Sequence, residues 1–123
     1  MPIRWTISHE ERLVLAATEG AVTLKDIEAY LDALVVADAA PYAKLFDASD
    51  VDLQVTDHDV MMLGARMRAY VATWPGGPIA FVVTTRQARE FVDRFLNLAA
   101  ASRPANIFRT ADEARRWLDA QLR

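Results

Sequence analysis

The sequence predicts an α/β fold in which an N-terminal hairpin leads into a mainly parallel five-stranded sheet with four helices. Three observations carry that prediction. Short segments of strand character alternate with longer segments of helical period along the chain. Ile79-Ala80-Phe81-Val82-Val83 is continuously apolar, as a strand covered on both faces is. Four threonines each stand three residues ahead of an acid or amide, the signature of a capped helix start. Strands that alternate with helices connect by right-handed crossovers, which makes the sheet parallel after its first hairpin.

The elements follow in order. Ile3-Arg4-Trp5-Thr6-Ile7 alternates apolar and polar residues, as in part does Arg12-Leu13-Val14-Leu15-Ala16, and the short His9-Glu10-Glu11 stretch between them predicts an antiparallel hairpin with His9 exposed in its turn. From Leu24 to Asp38 the apolar positions Leu24, Ile27, Leu31, Leu34 and Val35 recur at helical spacing, with Lys25, Asp26, Glu28 and Asp32 opposite. Ala43 to Ala48 reads as a buried strand. Asp57 to Trp74 is a second helix with Val60, Leu63, Gly64, Met67, Val71 and Trp74 on one face. After the breaker Pro75-Gly76-Gly77-Pro78 and the apolar strand comes a third helix, Gln87 to Ala101, with Phe91, Val92, Phe95, Leu96 and Ala99 inward. A short strand, Asn106 to Arg109, precedes a last helix carrying Ala114, Trp117, Leu118 and Leu122 on its inner face. The caps are Thr23 with Asp26, Thr56 with Asp59, Thr84 with Gln87 and Thr110 with Glu113. Each N-cap contributes about 1 kcal/mol, so these hydroxyls have a structural task that weighs against chemistry.

Composition narrows the function. The 123 residues make room for one domain, 1–123, and a chain of this length buries roughly two thirds of its unfolded surface without metals or disulfides. Zero cysteines exclude thiol nucleophiles, cysteine-ligated zinc, iron–sulfur clusters and disulfides. With 53% hydrophobic and 25% charged residues the chain lies far from the disordered class. A pI near 5.3 argues against nucleic acid as the partner, since phosphates call for a basic face. The start Met1-Pro2-Ile3-Arg4-Trp5 lacks the pattern of a signal peptide, and no apolar run reaches the roughly 20 residues of a membrane span. The expected location is cytoplasmic, and no cofactor or metal is expected.

Charge is unevenly distributed. Residues 1–62 hold 12 acidic and 4 basic side chains, whereas 63–123 hold 5 acidic and 10 basic. Such asymmetry marks either a partner-binding face or complementarity between two halves that touch.

The densest cluster is Asp47-Ala48-Ser49-Asp50-Val51-Asp52 followed by Thr56-Asp57-His58-Asp59. It starts at the C-terminal end of a central strand and ends at a helix start, where open α/β sheets bind ligands. Asp47, Asp50, Asp52, Asp57 and Asp59 supply oxygen ligands for a divalent ion, but no EF-hand spacing or ligand-loop glycine accompanies them. His58 beside Asp57 or Asp59 suits acid–base catalysis, yet no nucleophile or substrate pocket is identified with it. The plainest reading is a solvated turn whose acids favour the positive end of the helix dipole. Two histidines this far apart make no zinc pattern.

Arg66 and Arg68 on the second helix, with Arg86, Arg89 and Arg94 on or beside the third, suit an anion but more simply form a solvated face paired with acids. Met61, Met62, Tyr70 and Trp74 outline an apolar patch for a dimer contact or a lipid-like ligand, because Met61 and Met62 fall off the core stripe.

The order of elements, the segment Lys44-Leu-Phe-Asp47-Ala-Ser49-Asp50-Val51 and the ending Asn106-Ile-Phe-Arg-Thr-Ala-Asp-Glu113-Ala-Arg-Arg-Trp117-Leu118 resemble the SpoIIAA-like family of small bacterial proteins, which is similar to the STAS domains of anti-sigma-factor antagonists. The resemblance covers nearly the whole chain and implies a STAS-like fold. In STAS antagonists a strand ending in Asp-x-Ser leads to an Asp-Ser-Ser-Gly turn whose serine a partner kinase phosphorylates. Asp47-Ala48-Ser49 matches the first element. The second would fall at Val55-Thr56-Asp57-His58, where Asp57 stands in place of the serine and is at most a partial mimic of phosphate. The family is also reminiscent of Sec14-type lipid-binding domains, which implies a small hydrophobic ligand as an alternative.

The leading expectation is a non-enzymatic module that binds a protein partner, or a second copy of itself as a homodimer, through Asp47, Ser49, Asp50, Asp52, Thr56, Asp57 and His58. The alternative is a carrier of a small apolar ligand beside Met61, Met62, Tyr70 and Trp74. An enzyme using His58 and nearby carboxylates comes third.

Overall fold

The computed structural model describes residues 2–73, 76–99 and 103–122, with the side chains of 70–73 and 98–99 outside that description. Among the described residues the chain forms β1 (Ile3–Ser8), β2 (Leu13–Thr18), β3 (Gly20–Thr23), α1 (Leu24–Val36), β4 (Ala43–Ala48), β5 (Val51–Gln54), α2 (Asp57–Thr73), β6 (Ile79–Val83), α3 (Arg86–Ala99), β7 (Ala105–Phe108) and α4 (Ala111–Gln121).

Five strands make the main sheet in the order β1-β2-β4-β6-β7. β1 and β2 are antiparallel, and the pairs β2–β4, β4–β6 and β6–β7 are parallel. This is the predicted sheet. Two short strands were not foreseen: β3 and β5 pair in parallel as a separate ribbon, Gly20 opposite Val51 and Thr23 opposite Gln54. The stretch read as a solvated loop therefore contains a strand. Its four residues alternate, with Leu53 buried and Asp52 and Gln54 exposed, but two periods of alternation are too few to stand out from a loop. Gly20, at φ +75°, turns the chain from β2 into β3, a backbone conformation that a β-carbon disfavours.

The caps hold the helices as predicted, with one shift. Thr23 and Asp26 form a reciprocal capping box at α1. Thr56 and Asp59 do the same at α2, Thr56 N–H donating to Asp59 Oδ2 at 3.0 Å and Asp59 N–H to Thr56 Oγ1 at 3.1 Å. Glu113 N–H donates to Thr110 Oγ1 at 3.2 Å at α4. At α3, however, the cap is Thr85, whose Oγ1 accepts from Ala88 N–H at 3.1 Å; Thr84 Oγ1 instead donates to the Ser49 carbonyl at 3.0 Å.

The pleat sorts β4 between two cores. Ala43 and Leu45 face α4, packing with Leu13, Ala80, Val82, Ala114 and Leu118. Lys44, Phe46 and Ala48 face the opposite side, which α1, α2 and α3 cover. There the buried residues fall in two groups: one around Phe81, Leu63, Val92 and Phe95, the other around Val14, Val22, Tyr30 and Leu34. Ile27, Leu31, Phe46 and Val51 pack against both. Where β6 enters beside β4 the backbones meet closely. A β-carbon on Gly77 would lie 2.4 Å from the Pro41 carbonyl oxygen and 2.5 Å from that of Tyr42, so only glycine fits.

Candidate functional site

The acidic segment lies at the C-terminal end of β4, as predicted, and most of its groups are engaged locally. Asp47 points to the α4 side of the sheet, and its Oδ1 accepts from Ser49 N–H at 2.9 Å, which folds the chain back after the strand. The Ser49 carbonyl receives Thr84, and the Asp50 carbonyl receives Thr18 Oγ1 at 2.8 Å. Asp52 accepts from Gln54 Nε2 at 3.0 Å. The Thr56 hydroxyl serves as the α2 cap. Asp57 pairs with Arg94 of α3 at 2.6 Å. His58 is exposed, and both carboxylates beside it are already committed, Asp57 to Arg94 and Asp59 to Thr56. Among the described residues no three or more His, Asp or Glu side chains come together to hold a metal ion.

Beyond this loop, α2 presents Met61 and Met62 to solvent, 62% and 54% exposed, while Val60, Leu63 and Met67 turn inward. The side chain of Tyr70 and the whole of Trp74, predicted to complete the patch, lie outside the described residues. Arg66 reaches from α2 to Glu28 at 2.6 Å and to Asp32 on α1. Arg86 pairs with Glu90 at 3.0 Å along α3. His9 is exposed in the turn between β1 and β2, as expected, and its Nδ1 also shares a 2.8 Å hydrogen bond with the Tyr42 hydroxyl.

A second site was not predicted. Between the sheet and helices α1–α3 lies a partly enclosed cavity of about 90 Å³. Leu63 and Met67 form its α2 wall; Met61 and Met62 are not part of it. The wall is apolar apart from Thr18 at the C-terminal end of β2, whose hydroxyl is used on the Asp50 carbonyl, and the N-terminal end of the parallel strands, where Tyr30, Lys44 and Arg103 converge. Lys44 is only 5% exposed. Its Nζ donates to the carbonyls of Ala40 and Tyr42, both at 2.7 Å. Burial first, and the Arg103 charge second, push its ammonium down to about 7. Burial lowers the Arg103 guanidinium below its usual value, against the pull of Tyr30, and raises the Tyr30 hydroxyl, against the pull of Arg103. One signal of this site was on the sequence: Lys44, one of two lysines, interrupts a strand that otherwise reads as buried. Tyr30 and Arg103 carried no such mark, because their convergence depends on how α1 and the approach to β7 pack.

No family model matches the chain, and no curated protein matches it. Solved structures do. An uncharacterised protein with a SpoIIAA-like fold from Shewanella loihica PV-4 superposes with a TM-score of 0.61 at 20% identity, covering 94% of this chain and 93% of its own. An anti-sigma factor antagonist from Mycobacterium paratuberculosis superposes with a TM-score of 0.60 at 14% identity, covering 95% of this chain and 94% of its own. The chain has a SpoIIAA-like fold.

Proposed function

We propose that this SpoIIAA-like fold serves as a non-enzymatic regulatory module that docks a protein partner on the face formed by residues 47–59 and the outward side of α2. The observation that carries the reading is that Met61 and Met62 are both exposed on α2, with the exposed Asp57 one helical turn before Met61 and the exposed Asp50 and Asp52 in the segment that leads into the helix. Leaving a methionine in water forgoes about 1.5–3 kcal/mol of burial, and its flexible thioether suits adaptable protein contacts. The acids around it favour a partner with an apolar centre and a basic rim. The anti-sigma factor antagonist among the similar structures supports a protein as the partner.

Two double variants test the face: Met61→Glu with Met62→Glu, and Asp50→Lys with Asp52→Lys. Each is expected to melt with the parent protein, because all four side chains are exposed, and each is expected to lose the same co-purified protein from the native host. That protein, once purified, should bind the parent and neither variant by calorimetry. Unchanged partners in both variants would sink the proposal. A concentration-dependent dimer that only the Met variant loses would assign the face to a second copy of the chain instead.

The cavity favours a second reading, carriage of a small apolar ligand. A void of about 90 Å³ with an apolar wall forfeits contacts that a ligand body restores. Native mass spectra of the chain free of any bound molecule, together with no gain in melting temperature from neutral probes such as 1-pentanol, would end it.

A further inference from the structure

The cavity has one polar end, and its groups are unequally satisfied. Lys44 uses two of its three N–H donors on the Ala40 and Tyr42 carbonyls. Arg103, two residues before β7, keeps its Nε buried with no acceptor. The Tyr30 hydroxyl is likewise buried without a partner, on a residue 4% exposed. Among the described residues lining the cavity there is no carboxylate, and neither cation forms an ion pair with a described residue.

Two cations brought together out of water, with no anion between them, are costly to the fold. A neutral side chain would fill the same space without that cost. What the arrangement supplies is a set of donors: the third N–H of Lys44, the Nε–H of Arg103 and the O–H of Tyr30. We propose that the cavity binds a small apolar monocarboxylic acid, its carboxylate seated among Lys44, Arg103 and Tyr30 and its hydrocarbon body running along the sheet past Phe46 and Phe81 toward Leu53. The proposal rests on the second reading above and names its ligand class.

The chemistry selects the head group. A carboxylate offers about four acceptor sites and a single charge to two cations and a hydroxyl. A phosphate dianion would bring twice the charge into a wall that is otherwise hydrocarbon. Volume selects the body. A cavity of roughly 150 Å³ holds benzene, so about 90 Å³ suits a short chain rather than a membrane lipid. By proportion the enclosed space takes about four heavy atoms, and the cavity is only partly closed, which leaves room for the remainder of a short acid.

Binding is also expected to take up a proton. The groups facing Lys44 are Tyr30 from α1, Arg103 from the approach to β7, and the Ala40 and Tyr42 carbonyls. In the empty cavity its ammonium loses its proton near 7. A seated carboxylate favours the charged form and draws that proton back. Affinity for the acid therefore weakens as pH rises above about 7, by up to about tenfold per pH unit.

Pentanoate and its neutral counterpart pentanamide provide the test. Both are titrated into the whole chain at about pH 6 and about pH 9, the pair that brackets the Lys44 transition, while backbone amide shifts are followed by NMR. Pentanoate is expected to shift amides near Tyr30, Lys44 and Phe81 and to bind about tenfold or more tighter than pentanamide at the lower pH. That advantage should shrink at the higher pH, and Lys44→Met and Arg103→Met should each reduce it without weakening pentanamide. Equal affinity for acid and amide in the parent chain overturns the carboxylate seat, as does an acid preference that is independent of pH and intact in both variants. In either case the second reading stands. No binding of either probe overturns both. The parent chain alone gives the acid-to-amide ratio and its pH dependence, so the outcome is decided even if a variant fails to fold.

Discussion

Lys44 is the residue at which the fold and its ionisation are most tightly linked. Its ammonium is buried between two carbonyls and pushed down to about 7, whereas the unfolded chain keeps the ordinary value of 10.5. Between those values the unfolded state holds a proton that the native state has released, so raising the pH favours the native state. Stability should rise with pH from about 7 toward 10.5 by as much as about tenfold in the folding equilibrium per pH unit, and Lys44→Met should remove that rise. Urea unfolding of both proteins across the window measures it, read as the difference between the two pH curves. A flat difference would show that Lys44 keeps its proton in the native protein. The same residue marks how far single residues are legible in sequence. A lysine among Ala43, Leu45, Phe46 and Ala48 announces an unusual environment, because strand alternation puts it on a covered face. Its companions are silent. Tyr30 stands outside the apolar stripe read for its helix, and Arg103 is one of 12 arginines, until packing brings them together.

At the scale of elements, periodicity located every helix and every strand of the main sheet, because each spans enough residues for its burial face to repeat. The ribbon β3–β5 escaped for the opposite reason: each of its strands has four residues, and their pairing is between distant parts of the chain. The acidic segment therefore looked like a loop although Leu53, at its centre, anchors it in the core. The start of α3 shows the limit of capping rules. Thr84 and Thr85 are adjacent, and spacing to Gln87 favours the first, yet backbone geometry gives the cap to Thr85 and turns Thr84 to the Ser49 carbonyl. Thr85→Ala should cost about 1 kcal/mol and speed hydrogen exchange at the Ala88 amide. Thr84→Ala should leave Ala88 protection unchanged. The reverse pattern, by amide exchange, would return the cap to Thr84. Of the predicted site, the location at the end of β4 was legible from topology, whereas the cavity was not. Voids arise where side chains of several elements fail to fill a seam, and no local pattern encodes that failure.

At the scale of the whole molecule, two arginines of the basic half reach acids of the acidic half. Arg66 joins α2 to Glu28 and Asp32 of α1, and Arg94 joins α3 to Asp57. These exposed or half-exposed pairs contribute about 1 kcal/mol or less each, so they orient the helices more than they hold them. The hold comes from the two faces of the sheet, which are covered unequally. Helices α1, α2 and α3 share one face and leave a cavity there; among the described residues α4 is the helix that packs against β4, β6 and β7 on the other. On the shared face a lost side chain enlarges a space that already exists. On the α4 face Leu118 is fully buried between Ala80, Val82 and Leu45, with no second helix to close over a gap. Leu118→Ala should therefore cost about 2–5 kcal/mol, a large share of the roughly 5–15 kcal/mol that a domain of this kind possesses. Met61→Ala, at an exposed position of α2, should cost less than about 0.5 kcal/mol. Guanidinium midpoints for the two variants, at unchanged slope, measure both values. A loss under about 1 kcal/mol for Leu118→Ala would mean that α4 is not what secures its face of the sheet, and the three-helix side would have to carry the fold alone.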